Sequence, residues 1–220
     1  MTAAVLTPPR PEGRSEWGSG AAGAAHRPLL AQRPVTHAKI AIAGGFGGGK
    51  TTFVTSASEI PAATTEVVLS STGMDPRELV PVPRKVTTTA AMDVGRLTLG
   101  SDLVLVVFGT CGQARFWSTF LAVCRGAAGA VVLVDARRLA DCFAYLDLFE
   151  RDRMPFVVAV NEFDGWPVPA PAALREALAI DPWVPLVKCD ARSPTSTRQV
   201  LAIAAEYLLG WQPSPDLPVR

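Results

Sequence analysis

Apolar positions in this sequence follow two rhythms that trade places from residue 39 onward. Lys39-Ile40-Ala41-Ile42-Ala43 is short, apolar and followed by glycines, the pattern of a buried strand, and Phe53-Val54-Thr55 opens a helix beyond it. Thr89 to Leu99 alternates well enough for a strand, Gly100-Ser101 makes a turn, and Asp102 to Phe108 returns, so the pair predicts a hairpin. A helix over Phe116 to Cys124, a buried strand Ala130 to Val134 and an amphipathic helix over 137–150 follow, the last with Leu139, Cys142, Phe143, Leu146 and Phe149 at helical spacing. The chain closes with a strand Pro155 to Val160, a helix Pro171 to Ile180, a strand Pro185 to Cys189 and a helix Pro194 to Leu209. Val200, Leu201, Ile203, Ala204, Tyr207 and Leu208 form the apolar side of that last helix. Strands alternating with helices predict a three-layer α/β fold: a mostly parallel sheet with one antiparallel edge strand, helices on both faces, and ligands at the carboxyl ends of the strands.

Two stretches lack either rhythm. Residues 1–37 are rich in Ala, Pro, Gly and Arg, a composition that cannot bury enough apolar surface to offset chain entropy, and predict a disordered tail. Trp17 within it reads as a docking residue or, more commonly for such a composition, as part of a solvated linker. Residues 59–88 are polar and punctuated by Pro61, Gly73, Pro76, Pro81 and Pro83, and a connection that long inside a compact domain is more often functional than accidental. The domain itself runs over 38–210, with 211–220 as a short C-terminal tail.

Composition narrows the function classes. A chain of 220 residues suffices for one sizeable core plus a tail. The formal net charge is +1, and the tail carries four arginines against two glutamates, so no basic face for nucleic acid is implied. Cys111, Cys124, Cys142 and Cys189 are widely spaced with no C-x-x-C, which indicates neither a zinc site nor a disulfide framework and suits reduced, cytoplasmic thiols. No apolar run approaches a membrane span, the start lacks an apolar leader core, Thr2 excludes myristoylation there, and the end lacks a prenylation cysteine. The expectation is a cytoplasmic protein that reaches a membrane only through partners.

The chemistry is concentrated in Gly44-Gly45-Phe46-Gly47-Gly48-Gly49-Lys50-Thr51-Thr52, which matches G-x-x-x-x-G-K-S/T between a strand and a helix. Glycines let successive N–H groups converge on phosphate oxygens, the helix adds the positive end of its dipole, Lys50 supplies a charge for the β and γ phosphates, and the Thr51 hydroxyl suits magnesium. A chance Lys-Thr in a glycine-rich linker would not sit between a strand and a helix.

Later loops bear on the base. Asn161-Glu162-Phe163-Asp164 follows a strand, and a carboxylate there can accept from both N1–H and the 2-amino group of guanine, which adenine cannot match; each such bond contributes roughly 1.5–3 kcal/mol. Ordinary capping and turn roles for Asn and Asp fit the same residues. Cys189-Asp190-Ala191-Arg192 follows the last strand, where the Ala191 N–H is placed to meet guanine O6.

In order and spacing these loops resemble the P-loop nucleoside triphosphatases of the Ras-like small GTPase class over residues 38–209. Within that class the chain looks most like the bacterial MglA-type GTPases, and it particularly resembles the actinobacterial conservon (CvnD-type) GTP-binding proteins. Ala-Gly-Gly-Phe-Gly before Gly-Lys-Thr-Thr, Thr-Thr-Thr before Ala-Met-Asp, and Phe-Gly-Thr before Gly-Gln carry it. The resemblance implies GTP/GDP binding with Mg2+, GTP hydrolysis as a signalling switch, and work with a roadblock/LC7-domain protein and a sensor-kinase-like protein. It assigns Gly44, Phe46, Gly47, Gly48, Gly49, Lys50, Thr51, Thr52, Asn161, Asp164 and Ala191 to the nucleotide. Thr89 becomes the switch threonine on magnesium and the γ-phosphate, beside Thr51, with Thr88 as the alternative in a run of three threonines; β-branched residues opening a strand fit all three. Gly112 meets the γ-phosphate and Gln113 orients the attacking water.

Three positions depart from the pattern. Gly109 stands where most Ras-like proteins carry the aspartate that holds magnesium through water, so weaker magnesium binding is expected. Glu162 replaces a lysine near the base, which predicts weaker nucleotide binding, and Phe46 replaces a glycine beside the γ-phosphate, which predicts slow unaided hydrolysis. Arg115, two residues past Gln113, is a candidate for acting in cis on transition-state charge; a surface arginine paired with a carboxylate is the commoner use of such a residue. Phe116, Trp117 and Phe120 do not fit one inward stripe, so at least one is expected to face a partner. Two further classes compete with the switch: a nucleotide-binding scaffold with little hydrolysis, and a ParA-like ATPase, whose signature lysine would fall at Gly45 and which has no use for Asn161 and Asp164.

Overall fold

The structure, a computed structural model, describes residues 35–64, 66–68, 87–89 and 92–210. The predicted tails at 1–34 and 211–220, and Gly73, Pro76, Pro81 and Pro83 of the long connection, lie outside the described residues.

The described residues form, in chain order, eight strands and five α-helices: β1 (Thr36–Ala43), α1 (Lys50–Ala57), β2 (Glu66–Val68), β3 (Thr87–Thr89), β4 (Met92–Leu99), β5 (Leu103–Thr110), α2 (Trp117–Cys124), β6 (Gly129–Asp135), α3 (Phe143–Arg151), β7 (Phe156–Asn161), α4 (Pro171–Leu178), β8 (Leu186–Cys189) and α5 (Pro194–Gly210). Six strands form one sheet in the order β4-β5-β1-β6-β7-β8, parallel throughout except for the β4–β5 hairpin at one edge. The predicted α/β architecture, antiparallel edge strand included, is therefore the observed one. The chain leaves β1 toward β5 on one side and is picked up by β6 on the other, the kind of reversal at which α/β sheets open a ligand crevice.

Alternation along the central strands sorts two cores. Ile40, Ile42, Val131 and Leu133 face Phe53 and Val54 of α1 and Val200 and Leu201 of α5. Ala41, Ala43, Val132 and Val134 face the other way, onto Phe120 of α2, Leu146 and Phe149 of α3 and Leu178 of α4. The short side chains of β1 on the second face leave room for the rings of Phe120, Tyr145 and Phe149, which pack in tilted and edge-to-face pairs 5.0–6.0 Å apart.

Several boundaries differ from the predicted ones for local reasons. The Thr36 N–H donates to the Asp102 carbonyl at 2.7 Å, which extends β1 two positions into the stretch read as tail. The single strand predicted over Thr89 to Leu99 is two elements. β3 pairs with β2 in a separate two-stranded antiparallel sheet, while β4 joins β5; alternation marks a strand but not its partner. The helix predicted over 137–150 begins late, because the Asp135 carboxylate accepts the Arg137 N–H at 3.0 Å and turns the chain through a 3-10 segment, Leu139–Cys142, before α3 starts at Phe143. β5 continues through Gly109 and Thr110, which places Gly109 inside the sheet.

All four cysteines are buried thiols, and burial pushes those of Cys124, Cys142 and Cys189 up to about 11, away from reactivity. Among the described residues, no helix is long and apolar enough to cross a membrane.

Phe53 anchors α1, and with it the phosphate loop, to the first core. Phe53→Ala is expected to cost about 3–5 kcal/mol, read as a lower urea midpoint at unchanged slope. A wild-type midpoint would contradict this placement.

Candidate functional site

The glycine-rich loop leaves the C-terminal end of β1 and feeds α1. Gly49 occupies the N-cap position with φ +100°, and a Cβ there would lie 2.5 Å from Asn161 Nδ2, so both backbone and space demand glycine. No side chain caps α1, which directs its N-terminal dipole at the loop. Lys50 starts the helix, is buried, and donates its ammonium to the carbonyls of Gly44 and Gly45, each at 2.7 Å. Its charge is thereby held over the loop's concavity. Gly47 lies in the loop, Thr52 is exposed on the first helical turn, and Phe46 is buried.

The loop after β5 lies directly on this cradle. A Cβ on Gly112 would come within 2.6 Å of Lys50 Nζ, the Phe46 nitrogen and the Gly45 carbonyl carbon. Gly112 thus lies against the phosphate loop, its nearest neighbours there being the backbone of Gly45 and Phe46. Gln113 is buried at 3 % exposure; its Oε1 accepts from the Cys111 thiol at 3.5 Å, and its Nε2 has no hydrogen-bond partner among the described residues. Arg115 is exposed on the following 3-10 turn, with its guanidinium 4.9 Å from the Phe116 ring centre. Trp117 stacks on Phe120 and Tyr145, each at 5.3 Å, while Phe120 is buried; Phe116 and Trp117 keep part of their surface open.

A carboxylate does lie beside Gly109, on the neighbouring strand. Asp93 on β4 stands opposite Gly109 in register, is fully buried, and accepts the Thr51 hydroxyl at 2.7 Å through Oδ2. A Cβ at position 109 would sit 3.4 Å from that oxygen, an ordinary contact, and 3.2 Å from Val54, a tight one. The hydroxyl and carboxylate are hard oxygen donors of the kind magnesium takes. Thr88 and Thr89 lie on β3, where Thr89 pairs with Glu66; their side chains lie outside the described residues. Among the described residues, no cluster of three or more His, Cys, Asp or Glu forms a metal cage.

At the other end, Asn161 closes β7. Its Nδ2 donates to the Gly48 carbonyl at 3.1 Å and its Oδ1 accepts the Ala191 N–H at 3.0 Å. The Ala191 N–H, predicted to face a base, is therefore engaged by Asn161. Asp164, three residues on, has a largely exposed side chain held by Arg192 in a two-point fork, Nη1 to Oδ2 at 2.7 Å and Nη2 to Oδ1 at 3.0 Å. The guanidinium also reaches Asp190, and it holds both carboxyls below the usual aspartate range. Glu162, predicted to put an anion near the base, pairs with Lys188 at 3.7 Å on the exposed side of β8.

Sequence reasoning missed the strand-end loop that follows β6. Asp135 ends β6 in register with Asn161 and grips Arg137 at 2.7 and 2.8 Å, and the Arg137 guanidinium lies 3.8 Å from the Phe163 ring centre, tying the post-β6 loop to the post-β7 loop. Asp141, paired with Arg138, lies so near Gly45 that a Cβ there would be 2.5 Å from its own. The signal was available: Asp135-Ala-Arg-Arg directly follows an all-apolar strand.

A glycine loop between a parallel strand and a helix, with a buried lysine over it and a hydroxyl on the first turn, defines a P-loop nucleotide-binding protein. Residues 42–211 match the family described as conserved hypothetical ATP binding protein, and the chain belongs to it. No curated protein matches the sequence.

Asp93→Asn keeps the hydrogen bond to Thr51 and removes the charge. The magnesium concentration that half-retains bound nucleotide is expected to rise at least about tenfold, with the unfolding midpoint in chelator not lowered, since a buried carboxylate is costly to fold around. Unchanged magnesium dependence would contradict the assignment.

Proposed function

We propose that this nucleotide-binding protein is a regulatory GTPase that binds GTP or GDP with magnesium and hydrolyses GTP to GDP and phosphate, slowly when unaided. The observation that carries guanine over adenine is the Asn161 bridge. It joins the phosphate loop at Gly48 to the loop of Ala191, and Asp164 follows three residues after it in the same post-β7 loop, which supports a base-reading role for that carboxylate. A carboxylate there accepts two donors that guanine has and adenine lacks, although the family's description names ATP.

In this reading Lys50, the loop N–H groups and the Gly112 N–H take the β and γ phosphates. Thr51, Asp93 and Thr89 would hold magnesium, which supplies charge neutralisation of the phosphates when bound. Gln113 must leave the Cys111 thiol to orient water, and a phosphate oxygen near its amide would relieve an unpaired buried donor costing about 1–3 kcal/mol. Arg115 needs to swing off Phe116 to act on transition-state charge. The likeness to MglA-type and conservon GTPases extends the proposal to a roadblock/LC7-domain partner and a sensor-kinase-like protein. Segments 59–93 and 109–120, with Phe116 and Trp117, would report the nucleotide state, and partners would recruit a cytoplasmic protein to the membrane.

The buried, thiol-bound Gln113 favours a second reading, a nucleotide-binding scaffold that scarcely hydrolyses.

Competition of GTP and ATP for a fluorescent GDP analogue is expected to favour GTP at least about tenfold, and Asp164→Ala to erase that preference. A tenfold preference for ATP would overturn the guanine reading. Single-turnover hydrolysis separates switch from scaffold: Gln113→Leu lowers the rate at least tenfold if the glutamine orients water and leaves it unchanged in a scaffold.

A further inference from the structure

We propose that Arg192 is a built-in competitor for guanine: it pairs with both carboxylate oxygens of Asp164, the edge that would read the base, and must be displaced before the base is read. The proposal rests on the guanine reading above.

The geometry is that of one ligand imitating another. Arg192 presents Nη1 and Nη2 as two parallel N–H donors to the two oxygens of Asp164, at 2.7 and 3.0 Å. Guanine presents N1–H and its 2-amino group to a carboxylate in the same two-point fashion, and the same oxygens cannot serve both in full. The guanidinium bridges two strand-end loops, since Asp164 follows β7 and Arg192 follows β8. As it stands, it therefore closes the edge at which a base would enter.

A second carboxylate makes the exchange practicable. Asp190 accepts Arg192 Nε at 2.9 Å, Nη2 at 3.1 Å and the Arg192 backbone N–H at 2.9 Å. On leaving Asp164 the guanidinium keeps a counter-ion, so no bare charge is stranded. The Asp164 and Arg192 side chains are both more than half exposed, so the swap needs no unfolding, and an exposed ion pair competes only modestly. Apparent affinity falls by the fraction of molecules in which Asp164 is available. Adenine, with no pair of donors on that edge, gains nothing from displacing the arginine. The latch therefore acts on guanine nucleotides alone.

Calorimetric titration of the full chain with GDP and with ATP tests this on wild type, Arg192→Ala, Asp164→Ala and the double variant. Arg192→Ala is expected to bind GDP roughly threefold to tenfold more tightly with ATP unchanged, and the double variant to match Asp164→Ala. Weaker or unchanged GDP binding by Arg192→Ala, while Asp164→Ala loses the preference for GDP, overturns the latch and leaves the guanine reading standing. If Asp164→Ala keeps the wild-type ratio of GDP to ATP affinity, the guanine reading fails and the latch fails with it.

Discussion

One side-chain amide joins the two halves of the site. Asn161 donates to the Gly48 carbonyl, 113 positions earlier in the chain, and accepts the Ala191 N–H, 30 positions later. It is buried, so each of those groups would otherwise be a polar atom without solvent, at a cost of about 1–3 kcal/mol apiece. The parallel register sets where the amide falls. Asn161 lies level with Asp135 on one side and Cys189 on the other, so three strands end together and their loops open on one edge. Gly49 completes the fit, since any side chain there would strike the amide nitrogen.

The phosphate end follows the same economy of space. Gly109 of β5 and Asp93 of β4 stand opposite each other in register, and the Asp93 carboxylate accepts the Thr51 hydroxyl beside the phosphate loop. Gly112 then brings the post-β5 loop, which leads into Gln113 and Arg115, against the P-loop. A phosphate group arriving there meets Lys50 already held in place by two carbonyls, a preorganised charge that needs little rearrangement.

Much of this was readable in the residues. Periodicity placed β1, β6, β7 and the flanking helices, and glycine-lysine-threonine between a strand and a helix located the cradle, because those signals arise within a few adjacent positions. What escaped depends on pairing between distant segments. Alternation from Thr89 to Leu99 did not reveal that Thr87–Thr89 and Met92–Leu99 enter different sheets, nor that Asp93 would stand opposite Gly109. The Arg192 fork likewise joins side chains 28 positions apart, and neither Asn161-Glu162-Phe163-Asp164 nor Cys189-Asp190-Ala191-Arg192 carries a trace of it. The late start of α3 is the exception: a local signal, the Asp135–Arg137 turn, lay unread within an amphipathic pattern that dominated it.

The central claim is that phosphate and base loops form one ligand site because Asn161 binds them together. Calorimetric titration of GDP with magnesium into wild type and Asn161→Ala, both checked for cooperative unfolding, tests it most directly. The account predicts one saturable site in the wild type and at least a roughly hundredfold loss in the variant, the sum of two broken hydrogen bonds. No binding of GDP by the folded wild type up to millimolar concentration, or wild-type affinity in the variant, would contradict it.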